Sequence, residues 1–273
     1  MIKINGTLVL VEQFSNHETK VKDFTDSIIE GNNIIELKYH TDADLIALMF
    51  VKKRLDEFQK KATLFLWYMP YSRMDRKIEG DVFSLQYICD FLNGLCFDHI
   101  IVMEPHSMKT MELLHHATAI FPVKEWLGDI QKKIQFDEDK DCIVFPDKGA
   151  ANRYADCVAK HICILEKKRN PYTRKIEEMY IKEGSIQKGA KCIIIDDLCA
   201  KGDTVAWAAN ILKYSGASNI YVLVSHCEQT VFAGKILLPD SPIETIYTSS
   251  SMMHDLHEKI QYMEIDVKQY IPE

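Results

Sequence analysis

The sequence predicts an α/β protein of two units, each a mainly parallel sheet flanked by helices. Three observations carry this reading. Short apolar runs rich in β-branched residues alternate with stretches of helical periodicity along nearly the whole chain, the pattern of strand–helix–strand units. A polar, charged segment from Gln131 to Asp141 (QKKIQFDEDKD) interrupts the alternation near the middle and is the candidate domain boundary. Beyond it the alternation resumes around Lys191 to Val205 (KCIIIDDLCAKGDTV). There a buried-strand run, Cys192 to Ile195, closes on Asp196 and Asp197, and a loop opens a helix from about Thr204 to Lys213.

Residues 1–24 alternate apolar and polar side chains, which predicts two strands of one hairpin with Phe14-Ser15-Asn16-His17-Glu18 at the turn. A strand near Asn33 to Tyr39 follows. Thr41 to Gln59 begins TDADL and continues at helical spacing, so a capped helix is expected. Ala62 to Met69 is a strand, and the charged loop from Pro70 to Gly80 lies beyond its end. A helix over Ser84 to Leu95 leads to the strand His99–Met103, which ends in Glu104-Pro105-His106-Ser107. A helix around Lys109 to His116 and a strand near Ala119 to Pro122 finish the first half. In the second half, the strand Cys142–Phe145 precedes Pro146-Asp147-Lys148-Gly149, then a helix through Ala151 to Lys160 and a strand through Ile162 to Leu165. The run Glu166 to Lys175 (EKKRNPYTRK) carries five positive charges and no apolar anchor, which suggests a mobile loop. Strands at Ile220 to Ser225 and near Glu244 to Thr248 close the chain.

The composition is that of an ordinary globular protein: 273 residues, 47% hydrophobic and 27% charged. A net charge of −7 argues against a general nucleic-acid surface, while leaving room for a local phosphate pocket. There is no signal-peptide pattern and no bilayer-length apolar run, so a cytoplasmic location with no membrane partner is expected. The eight cysteines form no CxxC pair and read as small core residues in a reducing compartment. His115-His116 is rejected as a metal pair, because neighbours on a helix point to different faces.

Loops beyond the carboxyl ends of parallel strands are where ligands bind in open α/β sheets. The Asp196-Asp197 pair followed by a helix start is therefore a seat for a sugar phosphate. Its carboxylates suit ribose hydroxyls or a hydrated metal, and its helix N-terminus suits the phosphate. The plainer alternative is a surface Asp pair capping an ordinary helix.

Six ordered stretches together resemble the ribose-phosphate pyrophosphokinases, and more narrowly their short members associated with nicotinamide salvage. Phe14-x-x-x-Glu18 is similar to that family's adenine loop, often supplied by a neighbouring subunit; read alone, it is a core Phe beside a surface Glu. Tyr71-Ser72-Arg73-Met74-Asp75-Arg76 resembles an ATP-binding loop, with Arg73 on the phosphates and Met74 where a Gln is usual. Glu104-Pro105-His106-Ser107 resembles Asp-Pro-His-Ser, which implies a role for His106 toward the magnesium–nucleotide. Pro146-Asp147-Lys148-Gly149-Ala150 resembles Pro-Asp-Ala-Gly-Ala and puts Asp147 near the acceptor ribose or its metal. Lys167-x-Arg169-Asn170-x-x-Thr173-x-Lys175-Ile176 resembles the flexible catalytic loop, with Lys167 and Arg169 neutralising the transferred group. Asp196-Asp197 resemble the ribose-binding acid pair. The loop after them departs: Ala200, Lys201 and Asp203 replace an Asp and two glycines, while Gly202 and Thr204 persist.

The resemblance implies two phosphoribosyltransferase-like domains, an ATP-side domain over residues 1–135 and a ribose-phosphate domain over residues 136–273. It implies catalytic Lys167, Arg169 and His106, with ATP held by Phe14, Glu18, Arg73, Asp75, Arg76 and His106. Asp147, Asp196, Asp197, Ala200, Lys201, Gly202, Asp203 and Thr204 would hold the ribose phosphate, and His106 and Asp147 the metal. Mg²⁺ is the implied cofactor, ATP the co-substrate, and a homodimer or larger homo-oligomer the implied assembly. The implied reaction moves the β,γ-pyrophosphate of ATP onto the anomeric hydroxyl of a ribose 5-phosphate group. The acceptor is either ribose 5-phosphate or, given the altered 200–203 loop, ADP-ribose. A phosphoribosyltransferase and a catalytically silent regulatory subunit are the competing readings.

Overall fold

Asn5 and Gly6 both have positive φ, +49° and +82°, the conformation that closes a two-residue hairpin. They join β1 (Ile2–Ile4) to β2 (Thr7–Val9). A separate hairpin follows, β3 (Val11–Gln13) and β4 (Thr19–Val21), with Phe14 to Glu18 at its turn. The N-terminal region therefore contains two hairpins rather than the expected one, and the Asn-Gly signal is the reason. The structure is a computed structural model. It describes residues 1–77, 80–157, 159–170, 173 and 175–272.

The remaining elements of the first unit are β5 (Asn32–Leu37), α1 (Asp42–Glu57), β6 (Lys61–Leu66), α2 (Ser84–Gly94), β7 (His99–Met103), α3 (Lys109–Leu113) and β8 (Ala117–Ile120). They build a six-stranded sheet in the order β2-β1-β5-β6-β7-β8, parallel from β5 to β8. Helix α1 starts where Asp44 accepts the backbone N–H of Thr41 at 3.0 Å and of His40 at 2.8 Å, the capping expected from TDAD. Its Leu45, Leu48, Val51 and Leu55 are buried in the core of this unit. Each such side chain contributes about 1.5–3 kcal/mol on leaving water.

The second unit contains α4 (Val123–Lys133), β9 (Cys142–Phe145), α5 (Lys148–Arg153), β10 (Ile162–Arg169), β11 (Ile176–Glu183), β12 (Cys192–Cys199), α6 (Asp203–Tyr214), β13 (Ile220–Cys227), β14 (Ile243–Thr248) and β15 (Ile260–Tyr262). Its seven-stranded sheet runs β11-β10-β9-β12-β13-β14-β15, parallel except for the β10–β11 pair. Alternate residues of β12 feed two cores. Cys192 and Ile194 join Val205, Ala208 and Leu212 of α6, whereas Ile193 and Ile195 join Trp126, Leu127 and Ile130 of α4.

The chain divides into Met1–Phe121 with Asp266–Glu273, and Pro122–Ile265. The polar stretch at 131–141 suggested a later division, at 135/136. Helix α4 moves it, because its apolar stripe packs on the second sheet. Two further expectations are corrected. Asp196 and Asp197 do not close β12, which pairs on with β13 through Leu198 and Cys199. The 166–175 run is strand through Arg169, because β11 pairs with it and satisfies its backbone. Pro171, Tyr172 and Arg174 of that run lie outside the described residues. Cys96 is exposed and the other seven cysteines are buried. Among the described residues, no helix is long and apolar enough to cross a membrane.

Candidate active site

In the second unit, the side chains expected at a sugar-phosphate site converge on the carboxyl ends of β9, β10 and β12. Asp147 caps α5, accepting the Ala150 N–H at 2.9 Å, and its other oxygen takes the Lys167 ammonium at 2.6 Å. Burial pushes the Asp147 carboxyl up, but Lys167 and the backbone donors outweigh it and hold the group below the usual carboxylate range. Two residues along β10, Arg169 donates from Nη2 to Thr204 Oγ1 at 3.2 Å. One strand thus carries a cation to Asp147 and a second to the loop that opens α6. The resemblance to the flexible catalytic loop singled out both cations; the pairing with β11 that fixes them was not visible in the sequence.

Asp196 is half-buried, and its amide-linked neighbour Asp197 is 5% exposed. Burial first, then the Asp197 and Asp147 carboxylates, push the Asp196 carboxyl well up, and the Lys167 charge opposes them. Asp197 takes the Arg153 guanidinium at 2.5 Å. Arg153 was not singled out from the sequence. Its signal was available: a cation at the end of the short helix that Asp147 caps.

Gly202, with φ +83° and ψ +16°, caps α6, whose first residues are Asp203 and Thr204. A side chain there would be strained by its φ, and its Cβ would fall 2.5 Å from Ile236 Cδ1, so the position demands glycine. The first backbone N–H groups of α6 have no intrahelical acceptor and form an anion seat. Asp203 stands in that first turn, and Lys201 is exposed just before it.

The residues that the resemblance assigns to ATP lie in the first unit. β6 and β7 are parallel neighbours, so the loops bearing Arg73, Asp75 and Arg76, and then His106, leave the same edge of the sheet. Ser72 is buried, whereas Arg73 and Arg76 are exposed and His106 is half-exposed. Tyr71 holds φ +60°, and its hydroxyl donates to Asp42 Oδ1 at 2.6 Å, beside that of Tyr39 at 2.7 Å. The Tyr71 and Tyr39 hydroxyls hold the Asp42 carboxyl below its usual range. The resemblance implies ATP at this loop; on that reading Tyr71→Phe raises KM for ATP about 2- to 10-fold, the worth of one hydrogen bond, with a smaller change in kcat. Steady-state kinetics beside an unfolding curve test this: a loss of stability with KM unmoved rejects the positioning role.

Phe14 and Glu18 are not gathered with this loop. Phe14 is 54% exposed and lines a groove of about 520 Å³ with Phe50, Arg54 and Glu57 of α1. Those residues lie roughly 12–22 Å along the helix axis from Asp42, at about 1.5 Å per residue. Among the described residues, no group of three or more His, Cys, Asp or Glu is placed to hold a metal.

The relatives that this chain resembles put it in the diphosphokinase class. The chain is similar in fold to a crystal structure of phosphoribosylpyrophosphate synthetase from Mycobacterium smegmatis, with a TM-score of 0.76 and 19% identity over 94% of this chain and 85% of that one. Residues 159–273 match the phosphoribosyl synthetase-associated domain family. A ribose-phosphate pyrophosphokinase of Pyrococcus abyssi is 30% identical over 81% of this chain and 82% of its own length. Ribose-phosphate pyrophosphokinase 1 of Streptococcus agalactiae is 25% identical over 93% of this chain and 82% of its own. The chain belongs to the ribose-phosphate pyrophosphokinase family.

Proposed function

We propose that the chain transfers the β,γ-diphosphoryl group of ATP to the anomeric hydroxyl of a ribose 5-phosphate group. The C1 oxygen bonds to the β-phosphorus, the bond from that phosphorus to the bridging oxygen of AMP breaks, and the hydroxyl proton is released. The observation that carries the reading is the arrangement on β10, where Lys167 meets Asp147 and Arg169 meets the loop of α6. Such chemistry needs little covalent help; positioning and charge neutralisation supply most of it. Lys167 and Arg169 neutralise the transferred group. Asp196 and Asp197 accept hydrogen bonds from ribose hydroxyls, while Ala200, Lys201, Gly202 and Thr204 seat the 5-phosphate. Phe14, Glu18, Arg73, Asp75, Arg76 and His106 serve ATP.

The donor set fits a magnesium ion. Burial raises the Asp196 carboxyl first, the Asp197 and Asp147 charges add to it, and a divalent cation would offset that added negative charge; Mg²⁺ commonly takes one or two carboxylates plus water and phosphate oxygens. Asp147 of the second unit and His106 of the first are the residues the resemblance implies would hold it, and its charge would offset that of the phosphates. The remoteness of Phe14 from the chain's own Tyr71 loop supports a homo-oligomer in which the hairpin serves a neighbouring copy.

Two acceptors are proposed. Ribose 5-phosphate is one. ADP-ribose is the other, supported by Asp203, whose carboxylate repels a phosphate monoester dianion more than a diester-like group. Its product, ADP-ribose 1-diphosphate, suits nicotinamide salvage. Incubation with MgATP and each acceptor, with AMP release measured, tests the proposal. Release with ribose 5-phosphate alone removes the larger acceptor, and release with neither overturns the reading.

A further inference from the structure

One groove in the second unit, apart from Asp203 at its end, is used by none of the roles assigned above. It runs along α6 from Asp203 past Trp207, Ile211 and Tyr214, with Lys235 on its other wall, and encloses about 590 Å³. That is ample for a nucleoside-sized group. Asp203 is the first residue of α6, so the groove begins where the anion seat ends. Trp207 lies one turn further, about 6 Å along the axis, within the span of a pyrophosphate link.

Two close contacts hold the opposite wall in place. A Cβ on Gly234 would fall 1.9 Å from the Lys201 carbonyl oxygen, and Ile236 packs where a Cβ on Gly202 would project. The segment is thus pressed against the loop on both sides of Lys235, and packing sets the distance from that lysine to the loop. Trp207 is 41% exposed, whereas Trp67 and Trp126 are 7% and 5% exposed. An accessible indole, a lysine and a carboxylate beside a phosphate seat are the groups that recognise a base, a phosphate and a sugar hydroxyl.

We propose that this groove is a subsite for the nucleoside diphosphate end of an acceptor whose ribose 5-phosphate is extended through a pyrophosphate. Trp207 stacks on the base, Lys235 meets the distal phosphate, and Asp203 accepts a hydroxyl of the distal sugar. The inference rests on the diphosphokinase reading and selects the larger of its two acceptors.

The test titrates ADP-ribose and ribose 5-phosphate separately, following tryptophan emission, and measures AMP release with each in the presence of MgATP. ADP-ribose quenches the wild-type emission, and Trp207→Phe removes the quench while keeping a stacking ring. Trp207→Ala lowers the ratio of kcat/KM for ADP-ribose over that for ribose 5-phosphate about tenfold or more, the loss expected for one stacking ring. Lys235→Ala shifts the same ratio in the same direction. An absent quench, an equal quench by ribose 5-phosphate, or a ratio unmoved by Trp207→Ala overturns the subsite. AMP release with neither acceptor instead defeats the diphosphokinase reading, and the emission titration still decides whether the groove binds.

Discussion

Lys167→Ala is expected to lower kcat about 10²- to 10³-fold, the usual cost of removing one preorganised group that stabilises developing charge. ATP affinity, read by calorimetry, changes little, because the residues assigned to the nucleotide belong to the first unit. Unchanged turnover rejects the role given to β10. The substitution also leaves a signature independent of activity. In the wild type, Lys167 holds the Asp147 carboxyl below its ordinary range. A depressed carboxylate contributes stability that is present above its unfolded pKa, near 4, and is lost as pH falls through the folded value. The difference in Tm between wild type and Lys167→Ala is therefore expected at pH 7 and narrows below about pH 4. A difference that stays constant with pH removes the pairing from the account.

Arg153→Ala is expected to destabilise the protein by about 3–5 kcal/mol, since it removes the guanidinium paired with a buried carboxylate. Side-chain exposure is 19% for Arg153 and 8% for Asp197, so solvent offers Asp197 little compensation. Denaturant unfolding measures the loss. The double substitution Arg153→Met with Asp197→Leu separates folding from function: it recovers stability, because an apolar pair replaces the ionic one, yet turnover stays low without the Asp197 carboxylate. Recovery of turnover in the double variant removes Asp197 from sugar binding, and an unmoved midpoint in Arg153→Ala shows that Asp197 does not depend on the guanidinium.

The parts of the fold legible in the sequence are those whose burial is two-sided. β9 and the first halves of β12 and β13 are continuous apolar runs because helices cover both faces of the sheet, and such runs announce themselves. β11 did not. Of its eight residues only Met179 is buried, so no alternation marks it, and without it β10 reads as a charged loop. Helix α4 carried its signal in Val123, Trp126, Leu127 and Ile130, spaced one helical face apart, but its last turn, Gln131 to Lys133, is the start of the polar run and masks its end. At the site, Asp196 and Asp197 were legible as an acid pair after an apolar run, and Asp147 and Lys167 through the family's motifs. Arg153 was not, because its role comes from a contact across 44 residues of sequence that only the fold creates. Lys235 was hidden for the same reason.

The strand bearing the cations lies one place from the rim of its sheet, and the rim itself is β11. Glu177, Glu178, Lys182 and Glu183 stand exposed along it, while Lys168 with Glu178 and Lys182 with Glu166 lace it to its neighbour. Mixed charge along an unpaired ladder discourages foreign strands from joining. The sheet can therefore keep its working residues near open water without inviting polymerisation, and a substitution that turned those glutamates apolar would convert a harmless border into a template for fibres.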